Sequence, residues 1–356
     1  MATDGITMEE LQLAARNHGM PLEALRYDVT PVGLHYLLIH FDIPEADARS
    51  WRLEVGGHVR APLALTMDEL RARPAVTMPV TLECAGNGRA RMDPRPVSQP
   101  WLEEAVGTAE WTGTPLRPLL EEAGVLGGAV EVLFGGADRG VQGGLEHDYE
   151  RSLPLEEALR EEVLLAWEVN GRTLPPQHGH PLRLVVPGWY GMASVKWLRR
   201  VTVLTEPFAG FQQAGSYLIH TSEDDPGVPV TRIEPRSLLQ PPGIAEFESR
   251  GRFLAPGRHL LRGRAWSGRA PVARVEVSTD GGRTWRDAAL GARRSRWAWV
   301  AWSLPWEATE GEHELCSRAT DEAGNAQPLE RPWNTGGYAC NAVHRVRVTV
   351  RAGTGG

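Results

Sequence analysis

The chain has 356 residues, 42% of them hydrophobic and 23% charged, a composition that excludes a disordered polymer and leaves room for two domains. With 38 Lys and Arg against 45 Asp and Glu the net charge is −7 and no basic block occurs, so a nucleic-acid partner is not expected. No apolar run approaches the roughly 20 residues of a membrane span, and three cysteines cannot build a disulfide framework.

Residues 1–28 read as an N-terminal extension with a short helical period at Met8, Leu11 and Ala15. No secretory leader or twin arginine stands there, and a cytoplasmic location is the expectation. From 29 to 205 short strands mix with helices. Helical spacing with a flanking proline or threonine predicts helices over 67–73, 115–123 and 155–162. Strands are predicted over 51–55, 80–83, 130–134, 182–186 and 201–204. Periodicity fails from Phe208 to about Pro242, which reads as a connector wrapped on a surface. Beyond Gly257 the texture is all-β, with strands predicted over 259–265, 272–278, 297–304, 312–319 and 344–350. The Asp-Gly-Gly at 280–282 turns one strand into the next. The expected class is α+β: a mixed α/β domain over 29–240, then an immunoglobulin-like sandwich over 241–352.

Cys84 carries the chemistry most open to inference. It lies in Val80-Thr-Leu-Glu-Cys-Ala-Gly-Asn-Gly-Arg89, where a strand runs into residues that let the backbone turn tightly. Arg89 stands five residues on, able to favour a thiolate or hold an anion. Spacing alone leaves a buried structural cysteine, a nucleophile and a soft-metal ligand all open, although no second ligand stands at zinc-like spacing. Cys316 and Cys340 read as core residues on strands of the β half.

The Glu-Cys-Ala-Gly-Asn-Gly-Arg run resembles the molybdenum-ligand motif of the sulfite oxidase family, and further motifs follow in the same order from Val29 to Val350. That family joins a molybdopterin-binding domain to an immunoglobulin-like dimerisation domain. The resemblance implies that Cys84 is the protein thiolate on molybdenum. It places His40, in the segment from Tyr36 to Pro44, around the pterin and its phosphate together with Asp138, His178, Arg183, Ser194, Val195 and Lys196, within Gly136-Ala-Asp138, Gln177-His178-Gly-His-Pro-Leu-Arg183 and Ser194-Val-Lys196-Trp197. Arg89, Trp101 (with Trp111 ten residues later) and Tyr217 fall at the family's substrate-pocket positions. Two positions depart from the pattern. An Arg-Asn-His of the family has become Leu38-Ile39-His40, and a second-domain arginine aligns with Gly336. Another Arg-Asn-His, at 16–18, lies upstream of the register set by Val29-Thr-Pro-Val32.

The activity so implied is oxygen-atom transfer by a molybdenum cofactor, sulfite or a related small sulfur compound being the expected substrate. Reduction of an S-oxide or N-oxide, or a silent cofactor-binding scaffold, are the alternatives. No haem-attachment Cys-x-x-Cys-His occurs, so a separate electron acceptor is expected, together with pairing of two copies through the β half.

Overall fold

The computed structural model describes residues 5–222 and 224–352. The first half rests on two sheets. One runs in the order Leu63–Thr66, Arg52–Gly57, Leu198–Leu204, Glu131–Gln142, Leu145–Pro154. Leu53 and Val55 face its core while Arg52 and Glu54 face water, the period of two that a half-buried strand shows. Glu131–Gln142 and Leu145–Pro154 form a long hairpin turned by Gly143 and Gly144, both at positive φ as such a tight turn requires. Its ladder slips between Gly135 and Arg139, and Asp138 sits on that irregularity. The Gly-Ala-Asp segment is thus part of a strand.

The other sheet orders Val76–Glu83, Val106–Pro115, Leu164–Val169 and Arg172–Thr173, with Arg183–Val185 also paired to Leu164–Val169. Val106–Pro115 and Leu164–Val169 escape prediction because both faces are covered, leaving no alternation to read. The strand beginning at Leu164 also cuts short the helix expected over 155–162, which is the single turn Leu155–Ala158. Thr66 and Glu69 cap Met67–Arg71 reciprocally. Among the described residues no helix is long and apolar enough to cross a membrane.

Arg236–Leu239, Gly257–Trp266, Val300–Ala308 and Ala289–Leu290 make one sheet of the sandwich. The facing sheet orders Ile244–Ala245, Arg252–Leu254, His344–Val350, Gly311–Asp321, Val272–Ser278 and Arg286–Asp287. Trp302, Leu261, Val275, Leu315 and Val348 fill the space between them. Because Arg236–Leu239 pairs with Gly257–Trp266, the sandwich begins ahead of the boundary drawn at 240. Trp297 to Trp299, expected to open a strand, instead bind the first half: the Trp297 carbonyl accepts from the Thr81 N–H, and the Trp299 N–H donates to the Thr81 hydroxyl. The connector is no surface wrap either, since Tyr217, Val230 and Ile233 within it are buried between the two halves.

Candidate active site

Cys84 follows the last residue of Val76–Glu83. Its N–H donates to the Ala105 carbonyl at 2.9 Å, and its own carbonyl accepts from the Asn87 N–H at 3.0 Å, closing the turn. Asn87 fixes that turn from inside, its amide donating to Glu83 at 3.0 Å and accepting from the Ala105 N–H at 3.0 Å. Gly88 has φ +94, and a Cβ there would stand 2.6 Å from the Cys340 carbonyl oxygen, so this position excludes a side chain on two grounds. Cys340 is buried as expected, but on a loop against the Cys84 turn, its Sγ 3.3 Å from the Met92 sulfur. Cys316 is buried on Gly311–Asp321.

The Cys84 thiol lies on the wall of two adjoining cavities. The inner one, about 630 Å³ of space continuous with solvent, gathers His40, Asp138, His178, Arg183, Ser194, Lys196 and Tyr217 with Cys84. Arg183 donates to the carbonyls of His178 and Ser194 at 3.1 and 3.2 Å, with its guanidinium 4.6 Å from the centre of the Trp111 ring. Ser194 accepts from the Val186 N–H at 3.1 Å. The Lys196 ammonium donates to the carbonyls of Leu38 and Gln177 at 2.7 and 3.2 Å. These three segments, far apart in sequence, are tied to one another through side-chain bonds to backbone. Val195 is not on this wall: its side chain belongs to the apolar core, and its carbonyl accepts from Leu184. Alternation along the segment Ser194-Val-Lys196 turns it away from its neighbours.

Burial governs the charges here. It lowers Lys196 to about 7, helped by the nearby Arg183, and raises Asp138 to about 7. It pulls His178 to about 2 and His40 to about 3, so both rings are neutral at ordinary pH. It also pushes the Cys84 thiol up, an effect opposed chiefly by the Arg89 guanidinium. Asp138 Oδ1 and His35 Nε2 are among the buried polar atoms that have no protein partner. His35 lines the same cavity, edge-on to His178 at 5.7 Å.

The outer cavity, about 840 Å³ of empty space opening toward solvent, shares Leu38, His40, Cys84 and Tyr217 with the inner one. Arg89 and Trp101 complete its deep end. Arg89 Nε donates to the Gly336 carbonyl at 2.9 Å and Nη1 to the Ser98 hydroxyl at 3.0 Å, with the Tyr338 ring under the guanidinium at 5.0 Å. Gly336, where the family pattern calls for an arginine, thus contributes a carbonyl that aims Arg89. The Tyr217 hydroxyl lies 2.7 Å from His40 Nε2, and Arg151 stacks on the Tyr217 ring at 5.3 Å. The wall also holds Arg16, from the upstream Arg-Asn-His set aside in the sequence reading. His35, Arg151 and Tyr338 carry no motif that could have marked them.

The model of the oxidoreductase molybdopterin-binding domain matches residues 40–212, and that of the Mo-co oxidoreductase dimerisation domain matches residues 251–351. The sulfane dehydrogenase SoxCD from Paracoccus pantotrophus superimposes with a TM-score of 0.83 at 27% identity, over 99% of this chain and 90% of that one. The chain belongs to the sulfite oxidase family. Its cofactor is a molybdopterin-bound molybdenum. Among curated relatives, the nitrate reductase (NADH) of Solanum lycopersicum is 33% identical over 94% of this chain and 40% of its own length. The nitrate reductase (NAD(P)H) of Hordeum vulgare is 35% identical over 90% and 39%. This chain therefore spans about two fifths of those relatives.

As a member of this family the chain offers a fitting donor set for that group. Among the described residues no three His, Cys, Asp or Glu side chains converge on one point, so protein ligands alone would not hold the metal. What the inner cavity does present is one thiol beside cationic donors, with a carboxyl oxygen and an imidazole nitrogen left unbonded by protein. Such orphaned groups are expected where a polar organic ligand completes the hydrogen bonding.

Proposed function

We propose that this chain oxidises a sulfur compound, sulfite or a sulfane-type sulfur, by oxygen-atom transfer and hands the electrons to a separate acceptor. The observation that carries this reading is the Cys84 thiol on the boundary between a cavity lined by Asp138, His178, Arg183, Ser194 and Lys196 and a second one lined by Arg89, Trp101 and Tyr217.

The bound cofactor supplies two-electron chemistry with oxygen exchange to water. Cys84 would be the protein's donor to the metal. His178, Arg183, Ser194 and Lys196 would hold the pterin and its phosphate, with Asp138 accepting from a pterin N–H. His40 spans the two cavities and fixes the Tyr217 hydroxyl, whose pKa burial pushes well up, so Tyr217 keeps its proton and can donate it in a hydrogen bond to substrate oxygen. Arg89 would draw and orient the anionic end of the substrate. Trp101 and Leu38 dry the deep end, which strengthens each of these contacts. Val195 contributes backbone geometry rather than a side chain. Two copies pair through the sandwich.

The second reading is the reverse reaction, reduction of nitrate or an S-oxide; the names of the plant relatives favour it. Steady-state assays of the metal-loaded protein decide between them. Sulfite and a sulfane compound are offered with an artificial acceptor, nitrate and an S-oxide with an artificial donor. The proposal expects turnover in the first pair, and turnover confined to the second would overturn it.

A further inference from the structure

The helix Met8–Arg16 is anchored to the body of the first domain by unusually firm contacts for an N-terminal extension. Thr7 and Glu10 form a reciprocal cap. Glu10 is itself fully buried and takes Arg95 in a two-point ion pair at 3.1 and 3.0 Å. Just beyond the helix, buried Asn17 accepts from the Ile39 N–H at 2.7 Å and donates to Gln99 at 2.9 Å. His18 and Leu37 exchange backbone hydrogen bonds at 3.2 and 2.8 Å. The backbone at Arg16 is therefore held in place, because its neighbour Asn17 is bonded to Ile39 and Gln99 on the cavity wall.

The charge balance of that cavity is the second observation. Leu38 stands there where the family pattern has a cation, and Gly336 where it has another. Arg89 remains, but its guanidinium is already bonded to Gly336, Ser98 and Gln99. Arg16 is the other cation on the wall, and it makes one hydrogen bond, to the His40 carbonyl at 3.3 Å. Its side chain is exposed, and among the described residues it has no other hydrogen-bond partner and no carboxylate pairs with it.

We infer that Arg16 is a specificity-determining residue, which takes over from position 38 the recognition of an anionic substrate at the cavity mouth. The inference rests on the reading above that the substrate is an anionic sulfur compound. A guanidinium at the mouth, with the leucine behind it, suits a substrate whose charge is held apart from the sulfur being oxidised, as in a thiosulfonate-type anion.

The test uses the metal-loaded protein, with sulfate as a non-reacting anion whose affinity is read by calorimetry, and thiosulfate and sulfite as substrates. Arg16→Gln is expected to weaken sulfate about tenfold at low ionic strength and to raise the KM for thiosulfate by a similar factor, with kcat within about twofold. Arg16→Lys keeps the charge and should retain most of the affinity. Placing the cation at position 38 instead, in Arg16→Gln/Leu38→Arg, should restore sulfate binding and shift preference toward sulfite. Sulfate affinity unchanged in Arg16→Gln overturns the inference. So does equal loss in the Gln and Lys variants, which would mark Arg16 as a helix anchor acting through the His40 carbonyl. Arg16-dependent sulfate binding in a protein that oxidises no sulfur compound would sustain the inference and sink the reading it rests on. Sulfur oxidation with Arg16-independent binding would do the reverse.

Discussion

Arg236, on the first strand of the sandwich, and Glu83, the residue before Cys84, form a 2.9 Å ion pair buried at the junction of the two domains. Arg236 also pairs with Glu103 and donates to the Asn87 carbonyl at 3.2 Å, while the Trp266 indole donates to Glu83 at 2.7 Å. Burial alone would lower the Arg236 pKa, but the carboxylates of Glu103 and Glu83 outweigh it and hold the guanidinium protonated. The sandwich thus orients the turn that presents Cys84. Removing one partner of such a buried pair leaves the other charge uncompensated, at a cost of about 3–5 kcal/mol. Arg236→Met should therefore lower stability by about that much and reduce the metal bound per chain. Urea unfolding together with metal analysis reads both, and an unchanged midpoint would show that the pair does not hold the turn.

Cys84→Ser should leave a folded protein that still binds the pterin but no longer turns over. The hydroxyl is close in size to the thiol, yet a hard oxygen does not replace the donation of a thiolate to a soft metal. Pterin content by fluorescence after oxidation, measured beside turnover, checks it. Activity within a few-fold of the native protein would remove Cys84 from the metal.

Tyr217→Phe deletes the hydroxyl 2.7 Å from His40 while keeping the ring on which Arg151 stacks. The expected loss is on the order of 10² in kcat/KM, the usual cost of one hydrogen-bond donor aimed at developing charge. Melting temperature and cofactor content should hold. A variant as active as the parent would make Tyr217 a packing residue.

His344 lines neither cavity and contributes, with the other buried histidines, to the acid dependence of stability. Its Nδ1 accepts from the Leu239 N–H at 3.0 Å, and burial pulls its pKa down to about 4 from 6.5, against an opposing influence of Glu103. Between about pH 6.5 and 4 the unfolded chain carries a proton here that the folded chain refuses, so this stability is present at neutral pH and is lost as pH falls. One such group contributes a slope of about 1.4 kcal/mol per pH unit. His344→Gln can keep an acceptor for Leu239, and its unfolding free energy should fall less steeply across that window. An identical slope would mean that the ring protonates without penalty.

Pairing of two copies through the sandwich is checked by light scattering on the whole chain. Twice the monomer mass at low micromolar concentration is expected, falling to the monomer when charged residues are placed on the interface.

What the amino-acid order determined by itself is the local grammar. The Cys84 turn, with its run of small residues, announces a strand end whatever lies around it, and the alternating strands of the β half announce a sandwich. The residues expected around the pterin stand in short motifs of fixed order, and all but Val195 line the two cavities. Packing decided the remainder. Val106–Pro115 and Leu164–Val169 are buried on both faces, which erases the period that would reveal them. Arg16 looked displaced because register along the chain says nothing about a bond from Asn17 to Ile39 and Gln99, 22 and 82 residues away. The same holds for Glu83 and Arg236, separated by 153 residues. A buried charge is tolerated only where its partner arrives, and which partner arrives is a property of the folded chain.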